Sequence, residues 1–237
     1  DGIRIRSGAG TNNFFGVSGA GNATLTGQRN IAIGLNAGAN ITSGIDNIYL
    51  GGCAGIQNQT GTYNIAIGLC AGYQNTGSGN IFLGLQAGQN NTGTCNIFAG
   101  FYSGKCNTLS CCSVFLGFYA GHGNGTTAPT GNENVLIGRN AGRGLTTGVC
   151  NIAIGSLAGC SLGSGSSNVF LGLYAGCSSA NSSCNVYIGN SAGRCSSASS
   201  NVFIGRCAGT NVTTGGGNVY IGDSAGCSIV LCANSAT

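Results

Sequence analysis

The sequence predicts an all-β fold, a β-solenoid (β-roll or β-helix) of about 13 rungs with a 16–17-residue repeat. Three observations predict it. A nine-residue frame (Asn, Ile or Val, any, Ile or Leu, Gly, any, any, Ala, Gly) recurs along the chain, as in Asn151-Ile-Ala-Ile-Gly-Ser-Leu-Ala-Gly159. Successive frames start 16 or 17 residues apart, except for a step of 21 from Ser113 to Asn134, too short for a unit to bury its own apolar face, so units must stack. Glycine makes up 47 of 237 residues and proline only one, without the three-residue period of collagen.

Counting the Asn as phase zero, frames begin at Asn30, Asn47, Asn64, Asn80, Asn96, Ser113, Asn134, Asn151, Asn168, Asn185, Asn201 and Asn218. A worn copy, Asn12-Asn13-Phe14-Phe15-Gly16, precedes them. Residues 1–29 read as a lead-in with this degenerate repeat, and Arg4 to Arg6 as an entry strand. Residues 30–226 are the array of 12 repeats, with an insertion near 122–133. Residues 227–237 are a short tail carrying Cys227 and Cys232.

Within a repeat, phases 1 and 3 are Ile, Val or Leu except at Ala99, and their alternation reads as a short strand. Ala then Gly at phases 7 and 8 fits a narrow second wall, read as another short strand. The remaining Asn, Thr, Gly and Ser residues are turn chemistry. Stacking puts the phase-zero side chains of Asn30, Asn47, Asn64, Asn80, Asn96, Asn134, Asn151, Asn168, Asn185, Asn201 and Asn218 one above another, as a structural amide ladder.

Alternation turns phase 2 away from phases 1 and 3. With phases 1 and 3 inside, the apolar phase-2 residues form an exposed stripe: Phe82, Phe98, Phe115, Phe170, Tyr187, Phe203 and Tyr220. Such a stripe marks an interface, and a parallel homotrimer would bury it. The competing arrangement is a wider single-chain coil with both faces inside.

Fourteen cysteines recur in phase. Cys53 and Cys70 share phase 6 on neighbouring rungs. Cys95 and Cys112 share the position before phase zero, and Cys160 and Cys177 share phase 9. Rungs about 4.8 Å apart bring each pair within disulfide reach. Cys177 and Cys184 flank a turn and are a further candidate pair. Small buried filler is the alternative role.

Catalytic chemistry is poorly supplied. The acids are Asp1, Asp46, Glu133 and Asp223, and the one histidine, His122, lies in the inserted loop. Paired carboxylates, a Ser-His-Asp set and clustered metal ligands are not suggested, so no enzyme activity, cofactor or metal is expected. A net charge of +4 spread thinly argues against a nucleic-acid partner. No run of 18 apolar residues suggests membrane insertion.

The Asn-Ile-Ala-Ile-Gly and Asn-Val-Phe-Ile-Gly cores, followed by Ala-Gly and an Asn-Thr-Gly turn, resemble repeats of bacteriophage tail-fibre and virion-fibre proteins. Cysteine-laden units such as Asn47-Ile-Tyr-Leu-Gly-Gly-Cys-Ala-Gly55 look most like fibres of phages of marine cyanobacteria. The heads of trimeric autotransporter adhesins are more distantly similar. The resemblance covers about residues 12–226 and implies a homotrimeric surface rod. It further implies other virion proteins as partners and a host cell-surface glycan or protein as receptor. A bacterial adhesin or extracellular filament subunit is the alternative, and a polysaccharide-degrading solenoid a third.

Overall fold

The computed structural model describes residues 4–6, 12–17, 19–22, 24–123 and 129–227. Tail residues 228–237, with Cys232, and part of the insertion, 124–128, lie outside the described residues. The chain divides into two compact units, Asp1–Ser113 and Val114–Thr237. Both are β-solenoids, and the described residues contain no helix.

The first unit holds β1 (Arg4–Arg6), β2 (Asn13–Gly16), β3 (Ile31–Ile33), β4 (Ile48–Leu50), β5 (Ile65–Ile67), β6 (Ile81–Leu83) and β7 (Ile97–Ala99). β1 pairs antiparallel with β2, and β2 to β7 run parallel in sequence order. The second unit holds β8 (Val114–Leu116), β9 (Val135–Ile137), β10 (Ile152–Ile154), β11 (Val169–Leu171), β12 (Val186–Ile188), β13 (Val202–Ile204) and β14 (Val219–Ile221), parallel throughout. Register keeps phase: Ile152 faces Val169 and Ala153 faces Phe170. The worn copy joins in phase from Asn13, with Phe15 beside Ala32.

Each rung has one strand, three residues long except for the four-residue β2. The expected second strand is replaced by two consecutive turns. Ala54 N–H donates to the Gly51 carbonyl, and Asn58 N–H donates to the Gly55 carbonyl. In the first turn phase 6 has positive φ (56° at Cys53, 57° at Asn140), the type II signature. Phases 7 and 8 still bond to the next rung, as where Gly55 N–H donates to the Ala71 carbonyl.

The phase-zero asparagines form a buried hydrogen-bonded column in each unit. The backbone N–H and the side-chain Nδ2 of Asn47 both donate to Asn30 Oδ1, at 3.0 and 2.9 Å, and Nδ2 also donates to the Gly61 carbonyl at 2.9 Å. Asn151, Asn168 and Asn185 repeat the pattern in the second unit. Ser113, lacking the amide, joins the column through its backbone N–H, which donates to Asn96 Oδ1 at 3.0 Å, while its Oγ donates to the Cys111 carbonyl at 3.2 Å.

The facing of the strands is the reverse of the sequence expectation. Phe82, Phe98, Phe115, Phe170, Tyr187 and Phe203 are completely buried within their own chain, and Tyr220 on the last strand is half-buried. The six buried rings cannot form a subunit contact from inside the coil. The reason is the opposite wall. A Cβ added to Gly55 would fall 2.5 Å from the Tyr49 ring, and one added to Gly104 would fall 2.5 Å from the Phe98 ring. The Ala-Gly pair is small because the phase-2 ring occupies that space. Where phase 2 is Ala66, the next rung's ring leans across, 2.7 Å from the Cβ position of Gly72.

The rings stack along the second unit. Phe170–Tyr187, Tyr187–Phe203 and Phe203–Tyr220 centroids lie 5.2, 4.8 and 5.2 Å apart, offset-stacking distances. The Tyr187 hydroxyl donates to Ser196 Oγ at 2.8 Å, and burial pushes its pKa up to about 12. Phase 11 completes the interior with Ile41, Asn58, Asn91 and Asn107 in the first unit, and Leu145, Leu162, Ser179, Ser196 and Val212 in the second.

Candidate functional site

With phase 2 inside, phases 1 and 3 face out. Ile33 and Ile67 are each 40 % exposed and Ile154 39 %, so the outer face of the strands carries an apolar side chain from nearly every rung. Phase 5 widens the strip with exposed Leu35, Leu69 and Phe101 in the first unit, and Phe118 and Leu173 in the second. Sequence reasoning chose the wrong parity because both parities are apolar.

Charged groups sit at the turns. In the first unit Arg29 Nε and Nη2 donate to Asp46 Oδ1 and Oδ2 at 2.6 and 2.7 Å, one rung apart. The hydrogen bonds from Arg29 hold the Asp46 carboxyl below its ordinary pKa. In the second unit Arg206 donates to Asp223 at 2.8 Å, again one rung apart. Three other cations lie over rings: Lys105 over Tyr102 at 4.4 Å, Arg143 over Tyr119 at 5.7 Å, and Arg194 over Tyr174 at 4.8 Å. These are cation–π distances.

Of the candidate cysteine pairs, Cys160 and Cys177 form a disulfide, with Cα atoms 4.7 Å apart. Cys53, Cys70, Cys95 and Cys184 are thiols. Burial pushes the Cys70 thiol up in pKa, aided by the adjacent Cys53. Cys112 is exposed. Cys150 donates to Glu133 Oε2 at 3.3 Å, which raises its pKa. The disulfide closes a 17-residue separation, and a loop of that size adds about 3 kcal/mol by restricting the unfolded chain. Reductant should therefore lower the melting temperature of the wild-type protein and leave that of C160S/C177S unchanged, as followed by circular dichroism.

His122 Nδ1 lies 2.9 Å from the Gly123 carbonyl oxygen, and its ring packs 4.7 Å from the Tyr119 ring. The Glu133 carboxylate accepts from the Cys150 thiol. Among the described residues no three His, Cys, Asp or Glu side chains gather where a metal could bind. No helix among them is long and apolar enough to cross a membrane. A shallow depression of about 330 Å³ is lined by Arg143, Gly144, Leu157, Cys160 and Ser161. No motif in the sequence marked it, because its lining comes from two neighbouring repeats at different phases.

No family model, curated protein or solved structure matches the chain. Fold and surface define its class: an all-β, cysteine-rich solenoid repeat protein.

Proposed function

We propose that the chain is a structural fibre or spike segment of the kind its repeats resemble, a phage virion fibre, presenting or forming a host-binding surface. The observation that carries the reading is the outward Ile, Val and Leu strip at phases 1 and 3. Half-exposed apolar side chains in continuous rows mark an interface, and repeating rows suit repeating copies of the same chain. Three parallel chains would cover these strips against one another. The interior supports the same role: its largest groups are stacked rings and most of its phase-zero asparagines are tied in an amide column, so the rungs serve as a rigid support. A virion surface is the location that follows from the resemblance.

Solution mass by light scattering, without reductant, tests the assembly. Wild-type protein should have the mass of three chains, and I67K/I154K the mass of one with its circular dichroism spectrum retained, since both side chains already touch water. A one-chain mass for wild type well above micromolar concentration would end the trimer proposal.

A further inference from the structure

We propose that the phase-9 corner of the second unit binds an acidic saccharide, one bearing carboxylate or sulfate groups. This deepens the surface role proposed above and rests on it only for where such a ligand would be met.

Phase 9 holds Arg143, Cys160, Cys177 and Arg194 on four successive rungs. Both arginines are exposed. Among the described residues neither has a carboxylate within ion-pair distance, whereas Arg29 and Arg206 have Asp46 and Asp223. Each guanidinium instead lies over a phase-6 tyrosine of the preceding rung, Tyr119 or Tyr174. A guanidinium lying over a ring keeps its N–H fork in its own plane, open to a carboxylate or sulfate approaching the edge. Holding the side chain there beforehand also reduces the ordering cost of binding.

Between the arginines the structure supplies a rigid floor. The Cys160–Cys177 disulfide ties the two middle rungs together. Cys160 shares the wall of the 330 Å³ depression with Arg143, Gly144, Leu157 and Ser161, a volume within the range of small-ligand pockets. Exposed Ser161 adds a hydroxyl, and Leu157 an apolar surface for the face of a sugar ring.

Charge spacing selects the ligand class. Arg143 and Arg194 are three rung steps apart, roughly 14 Å at about 4.8 Å per step. Nucleic acid presents a phosphate about every 3.4 Å along a strand and is held by denser basic patches. An acidic saccharide has its charges separated by whole sugar rings, which suits two widely spaced guanidinium groups. The pair of arginines belongs to the second unit alone: phase 9 of the first unit is Ala39, Ile56, Tyr73, Gln89 and Lys105, a single cation lying over Tyr102 of its own rung.

The test uses the whole chain, purified without reductant, in titration calorimetry against four probes. These are an oligo-uronate, a dextran sulfate fragment, neutral dextran and an oligothymidylate of similar length. One or both acidic saccharides should bind, more weakly as salt rises, and neutral dextran should not; which one binds separates carboxylate from sulfate recognition. R143Q/R194Q should weaken that binding by at least about tenfold, as loss of charged hydrogen bonds implies, while R206Q, whose side chain is already held by Asp223, should bind as wild type does. Failure of both acidic saccharides, equal binding of neutral dextran, tighter binding of the oligothymidylate, or an unchanged affinity in R143Q/R194Q would each overturn the proposal. Light scattering on the same samples separates the two readings. A single-chain mass with saccharide binding intact removes the fibre assembly and keeps the site, and a trimer that binds no saccharide does the reverse.

Discussion

Asn168→Ala should destabilise the second unit by about 3–6 kcal/mol, read as a lower midpoint in urea or thermal unfolding. The size follows from what loses a partner. Asn168 Oδ1 accepts from both the backbone N–H and Nδ2 of Asn185, at 3.0 and 3.2 Å. Its Nδ2 donates to Asn151 Oδ1 at 3.0 Å and to the Ser182 carbonyl at 2.9 Å. Alanine leaves two donors and a carbonyl unpaired where water does not reach, at about 1–3 kcal/mol for each group. Asn151 Oδ1 is spared, because the backbone N–H of residue 168 still donates to it. Asn168→Asp would keep the acceptor but lose the donor, and set a buried carboxylate against two oxygens; it should be no milder. Asn190→Ala, at an exposed phase-5 position, should change stability by less than about 0.5 kcal/mol. A loss below about 1 kcal/mol at Asn168 would mean that the column adds little and that ring stacking holds the rungs in register.

Much of this architecture is legible in the sequence, and the part that is not has a definite cause. The spacing of the asparagines gives the rung length, and a phase-locked amide has one economical use in a stack, which the bonds between Asn30, Asn47 and Asn64 display. The facing of the strand is not legible from alternation. In Asn168-Val169-Phe170-Leu171-Gly172 both parities are apolar, so the usual apolar–polar signal is missing. The strand is also only three residues long, so a choice of facing gains no support from a longer pattern. The informative residues lay elsewhere in the repeat, in Ala175 and Gly176. Gly176 leaves only 2.7 Å between a would-be Cβ and the Phe170 ring. Side chains that small oppose a large one, and phase 2 is where the aromatic rings of the strands lie. The second strand expected around phases 7 and 8 failed for a related reason: Ala-Gly carries no strand preference, and the positive φ at phases 6 and 8 makes turns of both flanks.

The site followed the same logic. Same-phase pairs on neighbouring rungs were readable as neighbours, and Cys160–Cys177, Arg29–Asp46 and Arg206–Asp223 are such pairs. Which cysteine pair is bonded was not readable, since Cys53 and Cys70 have the same separation and remain thiols. The Arg143 and Arg194 corner was invisible in sequence because its tyrosines come from the preceding repeat, at a different phase.

Gly172→Ala should damage the second unit severely, costing several kcal/mol and lowering the yield of folded protein. Two effects act together at this phase-4 position. The backbone has φ +135°, a region in which L residues are strained by about 1–3 kcal/mol. The new Cβ would also stand 2.6 Å from the Gly189 carbonyl oxygen of the next rung. That oxygen is main chain, so a rotamer change cannot relieve the contact; the rungs must separate locally. Separation would stretch the bonds from Gly172 N–H to the Ile154 carbonyl and from Gly189 N–H to the Leu171 carbonyl, both 2.8 Å. Gly217→Ala is the matched control for strain without crowding: φ is +78° there, but nothing lies within 4 Å of the added Cβ. It should cost only about 1 kcal/mol, the conformational share alone. Equal losses at Gly172 and Gly217 in urea unfolding would show that backbone strain dominates and that the rungs have slack. A much larger loss at Gly172 would establish that phase-4 glycines are retained for the close approach of one rung to the next, which sets how tightly the amide column and the ring stack can be held.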